Sequence, residues 1–173
     1  MKRTKDHFSR LNQKYERIYT QLQELLAKSP HLLSKMATTC ALLHHKLSHF
    51  FWTGFYILID QELCVGPYQG SLACQLLAKN KGVCWAGINN KKTIIVADVH
   101  QFPGHIPCDS RSNSEIVVPL FDTEGNIWGV LDVDSCQFEA FSTIDKEWLE
   151  KITALLKPNP EELKWLFLAQ SNL

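Results

Sequence analysis

The chain has 173 residues, enough for one domain with a true hydrophobic core. Its 18 Lys and Arg balance 18 Asp and Glu, so no whole-molecule field draws it to nucleic acid or to an anionic membrane. No run approaches the roughly 18 apolar residues of a membrane span. The charged first residues lack the apolar core of a secretory signal, and a cytoplasmic protein is expected.

In chain order, apolar residues from Phe8 to Leu26 recur every three or four positions and predict an amphipathic helix over Lys5–Lys28. Ser29-Pro30 ends it, and a second helix is predicted over His31–Leu47. His44, His45 and His49 fall close together there, but no acid or cysteine joins them and adjacent helical side chains diverge, so no metal site is read. Phe50–Ile59 then turns aromatic and β-branched, with Asp60-Gln61 as a turn and Glu62–Tyr68 as the returning strand, ended or kinked at Gly66-Pro67. Gly70–Leu77 has no clear period, and Lys79–Gly82 is a turn. Val83–Ile88 suits a short helix and Thr93–Val96 a short strand.

A loop follows from Asp98 to Asn113, broken by Pro103, Gly104 and Pro107. Glu115–Phe121 and Ile127–Val133 form a hairpin joined by Asp122–Asn126, which has turn chemistry. Ser142 or Thr143 caps a helix reaching about Leu156, and Glu161–Ala169 is a short apolar helix after Pro158 and Pro160. The order predicts an α+β fold: a central antiparallel sheet with the N- and C-terminal helices packed on one side. No linker or repeat divides it, so residues 1–173 form one domain, with N-terminal helices over 1–48, sheet and loops over 49–140, and C-terminal helices over 141–173.

The loop carries the densest chemistry. Cys108 lies in irregular chain between Pro107 and Asp109, with His100 and His105 nearby, and an adjacent histidine lowers a thiol pKa toward the attacking thiolate. The histidines themselves suit loop-supporting donors. Cys74 and Cys84 flank the Lys79–Gly82 turn. Taken alone each suits a core position, but a redox nucleophile at Cys108 needs a second thiol to resolve it. Cys40, Cys64 and Cys136 read as structural.

Glu115 opens one hairpin strand, and Asp132 and Asp134 close the other in strand alternation, so the two aspartates share a sheet face. Antiparallel pairing brings Glu115 beside them. Three carboxylates so close would raise at least one pKa, giving a proton donor near neutrality while the others hold a cation; solvated strand-end acids are the alternative. Trp52 and Tyr56 share a strand face and suit either core or the wall of an apolar pocket.

The segments Trp52–Tyr56, Gly66–Gly70, Ala73-Cys74, Gly82–Cys84, Asp98–Asp109, Ser114–Val117 and Gly129–Ser135 closely resemble the free methionine-(R)-sulfoxide reductases, which are single GAF-domain enzymes. The resemblance runs from about Phe50 to Ser135. It implies a GAF-like fold with Cys108 as nucleophile and Cys74 and Cys84 as the other redox cysteines, Cys74 being the favoured resolving partner. It implies that Glu115, Asp132 and Asp134 bind the substrate ammonium and polarise the sulfoxide oxygen, and that Trp52 and Tyr56 line the pocket for the methyl end. The implied partners are free methionine sulfoxide and a thioredoxin-like dithiol, with no metal or organic cofactor; a homodimer through the N-terminal helices is compatible with it. The sequence departs from the family at Trp85, where a small residue is usual after Cys84, at Tyr68 for phenylalanine, at Pro107 for alanine, and in the extra thiol of Cys64. A GAF sensor without turnover and a cysteine hydrolase are the alternatives; the hydrolase leaves Cys74 and Cys84 unexplained.

Overall fold

A computed structural model describes residues 2–105 and 109–167; Cys108 and the predicted helix end at Ala169 lie outside the described residues. Helix α1 spans Lys2–Ala27 and α2 spans Leu32–Lys46. The buried stripe of α1, Tyr15, Ile18, Leu22 and Leu26, has helical spacing. Among the described residues, no helix is long and apolar enough to cross a membrane.

Strand β1 (Trp52–Ile59) turns at Asp60-Gln61 into β2 (Glu62–Gln69). Both turn residues have positive φ, 49° and 66°, the pair of left-handed conformations that matches the twist of a two-residue hairpin. The expected break at Gly66-Pro67 is a kink, not an end: the register shifts between Gly54 and Tyr56 on β1, and β2 pairs onward to Gln69. The aperiodic segment beyond it contains only the two-residue β3 (Leu76–Leu77). Helix α3 (Gly82–Asn90), β4 (Ile94–Val96) and a 3-10 turn (Val99–Gln101) precede the hairpin of β5 (Ser114–Phe121) and β6 (Ile127–Ser135). Helices α4 (Thr143–Ala154) and α5 (Pro160–Phe167) complete the described chain.

The strands form one six-stranded sheet in the order β3-β2-β1-β6-β5-β4, with every neighbouring pair antiparallel. Helices α2 and α4 lie on one face, with α1 packed across both. Phe55, Ile57, Ile116, Val118, Leu131 and Val133 point into that helical core. The opposite face carries Trp52, Tyr56, Val117 and Val130 against Val83, Trp85 and Ile88 of α3. Because β5 is covered on both sides, its apolar run is uninterrupted rather than alternating.

The helical layer is tied down by Asp145. Its carboxylate accepts from the Ser142 backbone N–H at 2.8 Å, closing the capping box of α4, and from the Tyr15 hydroxyl of α1 at 2.8 Å. His49 Nε2 sits 3.3 Å from the same carboxylate, and His44 faces Thr53 instead, with 3.5 Å between Nδ1 and Oγ1.

Candidate active site

Sheet register gathers the site. Trp52 on β1 pairs with Asp134 on β6, and Asp134 pairs on its other side with Glu115 on β5. Two residues along, Gly54 pairs with Asp132, which pairs with Val117. Strand alternation therefore puts Trp52, Tyr56, Glu115, Asp132 and Asp134 on one face, and all five line a single cavity of about 90 Å³. Gly54 leaves the space that the wall needs: a Cβ there would collide with the Trp52 ring and meet the Tyr68 Cβ at 2.5 Å. Trp52 stacks on Tyr56 with ring centroids 5.8 Å apart and on Tyr68 at 5.5 Å.

The three acids differ in state. Burial, then the nearby Asp132 and Asp134 charges, push Glu115 well above the ordinary carboxyl range. Asp132 is raised to about 6 by burial, partly offset by hydrogen bonds from Glu115 and the Cys84 thiol. Asp134 is raised by burial and by Asp132, against a hydrogen bond from Ser112. The hydrogen bond between the two raises Glu115 and lowers Asp132, so a proton shared by the pair favours Glu115. Asp132 is 6% exposed, yet its Oδ1 has no hydrogen-bond partner among the described residues. A carboxyl biased toward holding a proton thus stands beside one with an unpartnered oxygen, an arrangement suited to an ammonium group and a developing oxyanion together.

Helix α3 supplies Cys84, which is buried, is a free thiol and lines the same cavity. Burial and the adjacent acids push its pKa up, which disfavours thiolate. Cys74, by contrast, is disulfide-bonded. Its loop hangs from the aromatic wall: Tyr56 donates its hydroxyl to the Cys74 carbonyl at 3.3 Å, and Trp52 donates Nε1–H to the Ser71 carbonyl at 3.1 Å. Trp85 holds the far end of that segment through Nε1–H to the Leu77 carbonyl at 3.4 Å. Trp85, next to Cys84 in α3, therefore braces the cysteine-bearing segment.

Two sequence readings need correction. His105 is more than a loop support: it lines the cavity, 12% exposed, with Nδ1 3.9 Å from Glu115 Oε2. Side-chain direction in an irregular loop has no periodic signature, so only the nearness of His105 to Cys108 in sequence hinted at this. His100 does serve the loop, with Nε2 3.1 Å from Asn113 Oδ1. Of the cysteines read as structural, Cys40 is buried and donates to the Pro67 carbonyl, but Cys64 is half-buried and Cys136 is exposed. Asp109, after the undescribed stretch, is clamped by Arg111 through Nε at 3.0 Å and Nη2 at 2.7 Å. Arg111 in turn lies over the Phe51 ring at 4.6 Å.

Residues 36–157 match the GAF domain family. The chain is 43% identical over 145 residues to GAF domain-containing protein A of Dictyostelium discoideum, covering 83% of this chain and 90% of that one. It is 41% identical over 133 residues to the free methionine-R-sulfoxide reductase of Escherichia coli K12, covering 77% and 80%. The solved structure of the free methionine-R-sulfoxide reductase from Neisseria meningitidis in complex with its substrate matches with a TM-score of 0.81 and 34% identity, over 88% of this chain and 91% of that one.

Proposed function

The chain belongs to the GAF domain family and is a homologue of the free methionine-R-sulfoxide reductases, and from that premise we propose that it reduces free L-methionine (R)-S-oxide to L-methionine. The observation that carries the reading is the shared sheet face: an aromatic pair and three carboxylates, from three strands, line one cavity.

Trp52 and Tyr56 take the methyl end of the substrate, and ionised Asp132 with Asp134 takes its ammonium. A peptide-bound methionine sulfoxide lacks that charge, which restricts the site to the free amino acid. Cys108 thiolate attacks the sulfoxide sulfur while Glu115 gives its proton to the oxygen. Methionine leaves with the sulfur reduced by two electrons, and Cys108 is oxidised to the sulfenic acid. The Cys74 thiol then condenses with it, releasing water and forming a disulfide, and a thioredoxin-like dithiol restores both thiols by exchange, itself becoming a disulfide. The disulfide-bonded state of Cys74 and the free thiol of Cys84 support Cys74 as the resolving residue.

The test is turnover of free methionine sulfoxide with a dithiol, comparing the natural sequence with Cys108→Ser and resolving the two epimers. Consumption of the R epimer that vanishes in Cys108→Ser is expected. Equal, background rates in both proteins would sink the enzyme reading and favour a GAF module that binds a small ligand without turnover.

A further inference from the structure

The acids are accounted for by the proposed reaction, but the buried thiol beside them is not. Cys84 Sγ, a Glu115 carboxylate oxygen and an Asp132 carboxylate oxygen all lie within 4.8 Å of one another. His105 adds an imidazole at the edge, with Nδ1 3.9 Å from Glu115 and Nε2 lacking a partner among the described residues. We propose that Cys84, Glu115, Asp132 and His105 form a site for a thiophilic divalent cation of the Zn²⁺ class, and that this cation and the substrate ammonium exclude one another.

The donor set decides the cation class. One thiol sulfur, two carboxylate oxygens and one imidazole nitrogen suit Zn²⁺ or Co²⁺, whereas Mg²⁺ and Ca²⁺ favour oxygen alone. Bonds of about 2.0–2.3 Å to a tetrahedral ion place neighbouring ligand atoms roughly 3.5 Å apart, so the three atoms need close only by about an ångström. Independently of the cluster, Asp132 Oδ1 is buried and unpartnered, a lone pair that points to a cation. On binding, the Cys84 S–H bond breaks, an S–metal bond forms, and the proton goes to solvent with any other proton the donors carry. No electrons move. The exclusion rests on the proposed function, since the ammonium would sit on the same Asp132 oxygen; the binding itself does not.

The test uses the full chain carrying Cys74→Ser and Cys108→Ser, which removes the redox thiols and leaves the proposed ligands intact. Zn²⁺ is titrated calorimetrically and Co²⁺ by its thiolate charge-transfer absorption. One ion per chain is expected, with the absorption band lost in Cys84→Ser and Zn²⁺ affinity lowered at least tenfold. Glu115→Gln should weaken Zn²⁺ binding while keeping the band, and decides the matter if Cys84→Ser fails to fold. Free L-methionine should lower the apparent Zn²⁺ affinity, whereas N-acetylmethionine should not. A band that survives Cys84→Ser, or unchanged affinity in Glu115→Gln, overturns the site. Binding through Cys84 that methionine leaves untouched overturns the exclusion. Absent Zn²⁺ binding in a chain whose natural sequence turns over sulfoxide defeats this proposal alone.

Discussion

The Tyr56 hydroxyl donates to the carbonyl of Cys74 across 3.3 Å, so a residue of the aromatic wall holds the backbone of a redox-candidate cysteine. The same ring stacks on Trp52, whose indole N–H holds Ser71. Tyr56→Phe keeps the ring and removes only this bond. The first round of sulfoxide reduction should stay within about twofold, because the apolar wall is intact. Recycling by a dithiol should slow by roughly fivefold to tenfold, the equivalent of a hydrogen bond contributing about 1 kcal/mol. Rapid-quench measurement of the first equivalent of methionine, set against the steady-state rate, separates the two. Equal slowing of both phases would disconnect Tyr56 from the cysteine loop.

Cys74 and Cys84 should part company in the same assay. Cys74 is disulfide-bonded, while Cys84 is a buried thiol aimed at acids that oppose its ionisation. Cys74→Ser should give one equivalent of methionine per chain and then stop. Cys84→Ser, which keeps a hydrogen-bond donor for Asp132, should continue through many turnovers with thioredoxin. Multiple turnover in Cys74→Ser would move the resolving role to Cys84.

Much of the site follows from periods visible in the chain. The spacing of Asp132 and Asp134, and of Trp52 and Tyr56, places each pair on one strand face, and the Asp122–Asn126 turn sets the hairpin that brings in Glu115. Asp122 secures that turn by accepting the backbone N–H groups of Glu124 and Asn126. What period cannot show is where non-local pieces land. The composition of Val83–Ile88 predicts helix α3 as an element, but the approach of Cys84 to Asp132 depends on how the helix lies across the sheet. Ser71–Cys74 has no period because the Trp52 indole N–H and the Tyr56 hydroxyl hold its backbone in place of a regular ladder, and only Leu76–Leu77 beyond it pairs with β2. β2 continues past Pro67 because Gly66 and Pro67 together oppose Phe55 as a bulge, and a bulge admits a proline within a strand; whether Gly-Pro ends a strand or bulges it is decided by the partner strand.

Asp132 links the site to stability. Its folded pKa of about 6 lies above the usual carboxylate value, with burial the main cause. A raised acid binds more protons folded than unfolded, so its contribution falls as pH rises from about 4 to 6 and then levels. The shift corresponds to about 3 kcal/mol at most, shared with the hydrogen-bonded Glu115. Asp145 works in the opposite sense, held below the usual range against burial by His49, Ser142 and Tyr15, but it is common to both proteins compared. Asp132→Asn should therefore gain stability relative to the natural sequence as pH goes from 4 to 7, read from denaturant midpoints. L-methionine should stabilise the natural sequence more at pH 7 than at pH 5 and do little for Asp132→Asn. A stability difference that is flat with pH would show that Asp132 ionises as freely in the fold as outside it.

Two glycines on neighbouring strands should fail differently. A Cβ on Gly129 would lie 2.5 Å from the Tyr56 carbonyl oxygen, which is backbone in the sheet centre. Gly129→Ala must push β1 from β6 and should cost about 3 kcal/mol, the upper range for overpacking a core. At Gly54 the nearest atoms are the Trp52 ring and the Tyr68 Cβ, so part of the strain is relieved by turning a side chain. Gly54→Ala should cost less, about 1–2 kcal/mol, and express its damage as a raised KM for methionine sulfoxide because Trp52 leaves the wall. Denaturant unfolding and steady-state kinetics on both variants check the contrast. A Gly54→Ala protein with an unchanged KM would mean that the Trp52 ring does not contact the substrate.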